Sequence, residues 1–222
     1  MITDHESEMR ENTARYRMLP QLQNALANLR TIAHKGCAIS ADQPLRAVPA
    51  IIVSAGPSLD RNKHVLDDVG NRAAIIAVNS SRPALTRADY LVTSEGMDVS
   101  AHLAQESGCV VASLVAHPHT WACADLWYID PTPWWMWLCL DLDVEPLFSG
   151  GSAANAALAL ALRWGADPVI LVGADCAYAP DGQTYAQGAP WHGERFVTDA
   201  SGHHITGFEQ RHACHQANGI PG

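Results

Sequence analysis

The stretch "IIVSAGPSLD", residues 51–60, is an apolar run broken by Gly56, Pro57 and Ser58. With Ala50 in front, it reads as a strand covered on both faces, because no polar residue alternates within "AIIV". The more polar residues 58–69 read as a helix. Gly56 permits a sharp turn and a close approach of the backbone to a ligand. Pro57 fits a first helical position, where its missing N–H would have been unpaired anyway. Ser58 and Leu59 then offer N–H groups at a helix start, where the dipole favours an anion, and Ser58 adds a hydroxyl. The same residues also make an ordinary strand-to-helix turn, so the junction alone does not choose. Neither GxGxxG nor the Walker A pattern occurs, which disfavours classical dinucleotide and P-loop sites.

The theme repeats outward from this stretch. "AAIIAVNS" (73–80), "DYLVTSE" (89–95), "CVVASLVAH" (109–117) and "PVILVGAD" (168–175) are further apolar runs. Helical patterns at 58–69, 81–88, 97–107 and 152–164 lie between them. This alternation predicts an α/β fold, a Rossmann-like, mainly parallel sheet with helices on both faces. Ahead of it, residues 6–34 read as a helix with an apolar stripe of Leu19, Leu22, Leu26, Leu29 and Ile32, ended by Gly36. We therefore expect an N-terminal helical appendage over 1–40 and a main domain over 45–222. The appendage would pack on that domain or on another copy, giving a homo-oligomer. Two regions break the rhythm: residues 118–148, with Trp121, Trp127, Trp134, Trp135 and Trp137, and a polar tail over 179–222. The tryptophans suit a core, a lid or a stacking surface.

Ligands of open α/β sheets bind beyond the carboxyl ends of the strands. The residues expected there are Gly56, Pro57 and Ser58, then Asn79, Ser80 and Ser81, then Ser94, Glu95 and Asp98, then His117 and His119, and last Asp175 and Tyr178. A second helix start, "SGGSAAN", adds Gly150, Gly151 and Ser152, able to take an anion or a ribose or simply to cap a helix. His117 and His119 have HxH spacing, which can ligate a metal, but the motif holds no third ligand, and no metal is expected there. The "HACH" cluster of His212, Cys214 and His215 is a second, weak pattern of this kind. His192, His203 and His204 lie in the tail, where a general base can come from. His5, His34, His64 and His102 read as surface residues of helices.

Composition sets limits. The net charge is −9 and the basic residues are scattered, which argues against a nucleic-acid surface. An anionic ligand must then be held by local donors. Six cysteines without CxxC pairing read as buried thiols of a reducing compartment. No signal peptide and no run long enough to span a bilayer stands out, so the protein is expected to be cytoplasmic, with no membrane partner.

The blocks "AIIVSAGPSLDRN", "AAIIAVNSSRPAL", "ADYLVTSE" and "GGSAANAALALALRWGADPVILVGADCAYAPDGQTYAQG" occur in this order. Together they resemble the family that holds the 6-hydroxymethylpterin diphosphokinase MptE-like proteins and the motility accessory factors, which add nonulosonic acids to flagellin. The resemblance spans roughly residues 45–210. More distantly, the first and last blocks resemble the CMP-binding blocks of bacterial sialyltransferases. That likeness implies nucleotide contacts at Gly56, Pro57, Ser58, Asn79, Gly151 and Ser152, and aligns Asp175, Tyr178 and Tyr185 approximately with the later block. It also implies a histidine base downstream, for which His192, His203 and His204 are candidates, His192 and His204 foremost. Tyr178 or Tyr185 would stabilise the leaving phosphate.

The archaeal pterin enzymes resemble one another in acidic motifs that would suit Mg²⁺ and a triphosphate. Here those places read "VNSS", "TSEGMD" and "FSGGSAAN", and of such acids Glu95 and Asp98 remain. The expected function is thus a transferase that uses a CMP-sugar and requires no cofactor, with the acceptor left open between a protein hydroxyl and a pterin. The alternatives are a diphosphokinase using ATP and Mg²⁺ on a pterin, or a non-catalytic nucleotide-binding module. Relatives continue beyond "NGIPG", which implies a fragment or a short variant, with a truncated C-terminus.

Overall fold

The computed structural model describes residues 18–35, 37–40, 42–103, 108–130, 141–150 and 152–207. Six parallel strands form one sheet: β1 (Ala50–Val53), β2 (Ala74–Val78), β3 (Tyr90–Thr93), β4 (Cys109–Ser113), β5 (Leu126–Tyr128) and β6 (Val169–Val172). Their spatial order is β5-β4-β3-β2-β1-β6. The chain therefore steps one way from β1 to β5, then crosses back to the far side of β1. The helices are α1 (Leu19–Leu29), α2 (Leu59–Asp67), α3 (Ser100–Leu103), α4 (Pro118–Ala122) and α5 (Ala153–Arg163). A separate antiparallel hairpin joins β7 (Arg195–Asp199) and β8 (Gly202–Thr206).

Every residue of β1 and β2 is buried, as expected for strands covered on both faces. Their side chains alternate between two cores. Ile51, Val53, Ile75 and Ala77 pack with Leu59 and Leu66 of α2 and with Ala25 of α1. Ala50, Ile52, Ala74 and Ile76 pack with Ala156, Ala157, Leu160 and Ala161 of α5. The alanines of α5 let it lie close across β1, β2 and β3, which brings its N-terminus to the carboxyl edge of the sheet.

Several expectations need correction. In α1 the fully buried residues are Asn24, Ala25 and Asn28; of the expected stripe Leu22, Leu29 and, just beyond the helix, Ile32 pack against the core, while Leu19 and Leu26 are more than half exposed. The reason is hydrogen bonding. Asn24 Nδ2 donates to the carbonyls of Gly96 (3.0 Å) and Val115 (3.2 Å), and Asn28 Nδ2 to those of Leu114 and Ala116 (both 2.8 Å). The carbonyls of Leu114, Val115 and Ala116 follow β4 on buried residues and would otherwise be unpaired, while that of Gly96 follows β3. The helix over 81–88 is instead a 3-10 turn at Asn79–Ala84. Buried Ser81 holds this turn, accepting from the Val78 N–H (2.9 Å) and donating to the Val53 carbonyl (2.6 Å).

β5 was hidden in the tryptophan-rich segment because it is three residues long. Trp127 lies on it, and Trp121 and Trp127 are core residues with ring centroids 6.1 Å apart. The hairpin was hidden in the polar tail. The edge strand β6 is half uncovered, with Ile170 and Leu171 exposed. Of the described cysteines, Cys37, Cys123 and Cys176 are exposed and only Cys109 is partly covered, because the exposed three sit at element ends. Residues 1–17, Gly36, Gly151, Trp134, Trp135, Trp137, His212, Cys214 and His215 lie outside the described residues. Among the described residues no helix is long and apolar enough to cross a membrane.

Candidate functional site at the carboxyl edge of the sheet

The strand order reverses between β1 and β6, and the crevice of an open α/β sheet lies at such a switch point. Here the loops after the two strands interlock. The Asp175 carboxylate accepts the Ser58 N–H at 2.7 Å through Oδ2 and the Ser58 hydroxyl through Oδ1. The N–H groups of Leu59 and Asp60 turn back onto the carbonyls of Gly56 (3.0 Å) and Pro57 (3.2 Å). The donors expected to be open at this helix start are thus all engaged, and an internal carboxylate stands where an external anion was expected. Gly56 has the same explanation. A Cβ there would lie 2.5 Å from the Gly173 carbonyl oxygen and 2.7 Å from Asp175 Oδ2, so the close approach is made by the neighbouring loop.

The start of α5 differs. Ser152 caps it with extended backbone, and its side chain makes no capping hydrogen bond. No described residue accepts from the N–H groups of Ala153 or Ala154. Gly150, at φ +56°, leads into this turn. Beside it Ser149 donates to Asp130, which follows β5. Burial pushes the Asp130 carboxyl up, against the hydrogen bond from the Ser149 backbone. Asp130 was not foreseen from the sequence, although its place at the end of the apolar "WYI" was a signal.

Two further polar atoms at the same edge are buried without a partner: Ser54 Oγ after β1 and Asn79 Oδ1 after β2. Asn79 also has φ +45°, a conformation that asparagine tolerates better than most residues but that still costs free energy. Ser80 follows it in the 3-10 turn. Ser94 bonds the Tyr128 phenol, whose ionisation burial pushes upward.

The tail crosses this edge as a strap. The Ala186 N–H donates to the Ala55 carbonyl (2.8 Å). Asp60 of α2 accepts from the Gln187 N–H (3.0 Å) and from Gln183 Nε2 (2.8 Å). Gly188 passes close to Ala84, and the Trp191 ring meets the His102 ring edge-on at 6.4 Å. The strap therefore runs from the end of β1, past the turn after β2, to α3 beyond β3. It carries half-buried Tyr185 and exposed His192. His192 Nδ1 lies 2.8 Å from the Ala189 carbonyl, a contact that places a proton on Nδ1 and leaves Nε2 as the acceptor.

The remaining candidates lie on the hairpin. Tyr178 stacks on Phe196 at 4.4 Å, Phe196 stacks on His203 at 5.7 Å, and His204 Nε2 lies 3.5 Å from an Asp199 carboxylate oxygen. His102 is not a plain surface residue: it is half-buried, its Nδ1 has no partner, and burial pushes its pKa down against the charge of Asp98.

Beyond β3 and β4, Asp98, His117 and His119 come together. His119 Nδ1 is 2.7 Å and His117 Nδ1 4.0 Å from Asp98 Oδ2. Burial pushes the Asp98 carboxyl up, but hydrogen bonds from Ser100 and His119 and the charge of His117 outweigh it and hold the group down at about 2. Burial pushes His117 down. The Mg²⁺ of a diphosphokinase would need an all-oxygen set. Among the described residues this trio is the group able to share one ion, and its two imidazoles do not suit Mg²⁺. Glu95 contributes its backbone instead, its carbonyl accepting the His117 N–H at 3.0 Å.

Comparisons with known proteins bear on this arrangement. A solved structure of a MAf glycosyltransferase from Magnetospirillum magneticum AMB-1 is similar at 22% identity and a TM-score of 0.55, over 65% of this chain and 25% of that one. The likeness is one of fold, and this chain spans about a quarter of that protein's length. No curated protein matches the sequence. A family model described as 6-hydroxymethylpterin diphosphokinase MptE-like matches residues 23–181, well over half of the chain, which takes in most of α1 and all six strands of the sheet. The chain belongs to the MptE-like family.

Proposed function

We propose that this protein is a transferase acting on a nucleotide-activated donor, and that the donor is a CMP-linked nonulosonic acid. Both comparisons favour a transferase, since the family description names a diphosphokinase and the similar fold is that of a glycosyltransferase. The observation that carries the reading is the start of α5, whose first N–H groups no described residue engages, at the same edge of the sheet as the buried Oδ1 of Asn79. The N–H groups of Ala153 and Ala154, which no described residue engages, suit a phosphate, and the buried Asn79 Oδ1 suits a donor hydroxyl or amino group.

In this scheme Ser152 and the α5 amides hold the donor phosphate, with Gly150 and Gly151 giving access. Gly56, Pro57, Ser58 and Asp175 shape the crevice wall, while Ser80, Ser94 and Glu95 line its far side. His192 Nε2 takes the proton of the acceptor hydroxyl as that oxygen bonds to the anomeric carbon. The bond from that carbon to the phosphate oxygen breaks, and CMP leaves. Tyr185 on the strap, or Tyr178 at its base, donates to the leaving phosphate. His204 is the alternative base should the hairpin close over the edge. The chemistry needs positioned donors and no metal. The acceptor is a hydroxyl of a protein, and the compartment is the cytoplasm.

The family description favours a second reading, transfer of diphosphate from ATP to a pterin with Mg²⁺. A thermal-shift panel of CMP, CDP, ATP with Mg²⁺ and a pterin separates them. Stabilisation by CMP without metal, lost in Asn79→Ala, supports the first. A response confined to ATP with Mg²⁺ overturns it. CMP binding with no CMP released from any CMP-sugar, and indifference to His192→Ala, leaves a nucleotide-binding module.

A further inference from the structure

We propose that Asp98, His117 and His119 form a binding site for a divalent transition-metal ion of the Zn²⁺ class. The HxH pair alone is two ligands. The fold supplies the third, because the loop after β3 places Asp98 against the turn after β4. One ligand atom from each of the three side chains lies within 4.8 Å of the other two. Around Zn²⁺, with bonds of about 2.0–2.2 Å, tetrahedral ligand atoms stand roughly 3.3 Å apart. The observed 2.7 and 4.0 Å straddle that spacing.

The two loops are locked together before any ion arrives. The Val99 N–H donates to Thr120 Oγ1 (3.2 Å), both residues being buried, and the His117 N–H donates to the Glu95 carbonyl (3.0 Å). Asp98 Oδ1 accepts the Ser100 N–H at 2.9 Å, which leaves Oδ2 turned to the histidines. Such outer contacts orient ligands in known metal centres. The His117 and His119 rings meet edge-on, 5.0 Å apart at 79°, so both present nitrogens rather than faces to the carboxylate.

A simple ion pair between Asp98 and His119 accounts for one of these contacts. It leaves His117 Nδ1 with only a 3.3 Å bond from the His119 N–H, which an incoming ion would displace. The His119 side chain is 73% exposed, so the fourth position opens to solvent. Two imidazoles and one carboxylate suit Zn²⁺, Co²⁺ or Ni²⁺.

The test is calorimetric titration of Zn²⁺ into the full-length chain after removal of bound metal, with Co²⁺ followed by its visible absorption. The expected result is one equivalent bound and the Co²⁺ bands of a low-coordinate site. Affinity should fall by at least about 10-fold in His119→Ala and in Asp98→Asn, since even loss of an outer contact costs that much. His119 is exposed, so its replacement leaves the fold intact, and an unchanged melting temperature of the metal-free variant verifies this. His64→Ala, on the outside of α2, should change nothing. Absence of a stoichiometric site, or affinity undiminished in both His119→Ala and Asp98→Asn, overturns the proposal. So does loss of binding in His212→Ala/His215→Ala with retention in His119→Ala, which would move the ion to the "HACH" cluster.

Discussion

Asp175 and Ser58 join the two sides of the topological switch point: one carboxylate takes both the N–H and the hydroxyl of the residue that opens α2. An anion does sit at this helix start, and the chain itself provides it. Hydrogen bonds to a charged group contribute about 1.5–3 kcal/mol each to stability. Asp175→Ala should lower unfolding stability by about 2–3 kcal/mol in urea denaturation, while Asp175→Asn, which keeps an acceptor, should cost less. Equal losses would mean that charge plays no part in the contact.

Gly56 is held by its neighbours across that same junction. Because an added Cβ would lie 2.5 Å from a backbone oxygen of Gly173, relief requires shifting β6 relative to β1. Gly56→Ala should destabilise by about 1–3 kcal/mol, the usual cost of overpacking. Calorimetric unfolding of the variant measures it, and a neutral effect would show that the two loops move independently.

Asn28 is 1% exposed and serves two buried carbonyls. Asn28→Leu orphans both, at about 1–3 kcal/mol each. Hydrogen exchange should show α1 opening well before the sheet. If α1 stays as protected as in the parent, the asparagine bonds do not hold it.

Asp60 ties the strap to α2. Burial pushes its carboxyl up, but hydrogen bonds from Gln183 and the Gln187 N–H, with the nearby Lys63, prevail and hold its pKa below the ordinary 3.8. A carboxyl depressed on folding stabilises the native state above its unfolded pKa. That contribution fades as acid takes the pH below 3.8 and through the lower folded value. Protease sensitivity of the strap over 183–192 should therefore be flat from pH 7 to 5, and should rise in Asp60→Asn at pH 7.

Cys109 lies in β4, and its thiol is pushed up to about 11, by burial first and by the charge of Asp125 second. Reaction with a thiolate-seeking alkylator at pH 8 should label Cys37, Cys123 and Cys176 and leave Cys109 unmodified, as mass spectrometry of the peptides would show. Labelling of Cys109 at the rate of Cys37 contradicts this.

Five of the six parallel strands were legible in advance, because strands covered on both faces write uninterrupted apolar runs such as "AIIV" and "AAIIAV", and the half-covered edge strand β6 writes one as well. β5 escaped because three residues carry no period, and the hairpin escaped because its faces are wet. The residues at the carboxyl edge were legible as a set for the same reason the strands were, since each follows a run.

Their partners were not legible. Ser58 and Asp175 are 117 residues apart, Asp60 and Gln187 are 127, and Asp98 and His119 are 21. Local pattern thus determined where the strands end and which small or polar residues stand at each end. Only the tertiary structure decided that Asp175 closes one helix start while no described residue closes that of α5, that a tail strap carries His192 to the edge, and that an HxH pair meets Asp98. Strand formation depends on neighbours along the chain, whereas which donor meets which acceptor depends on the order of strands in the sheet, and no local period records that order.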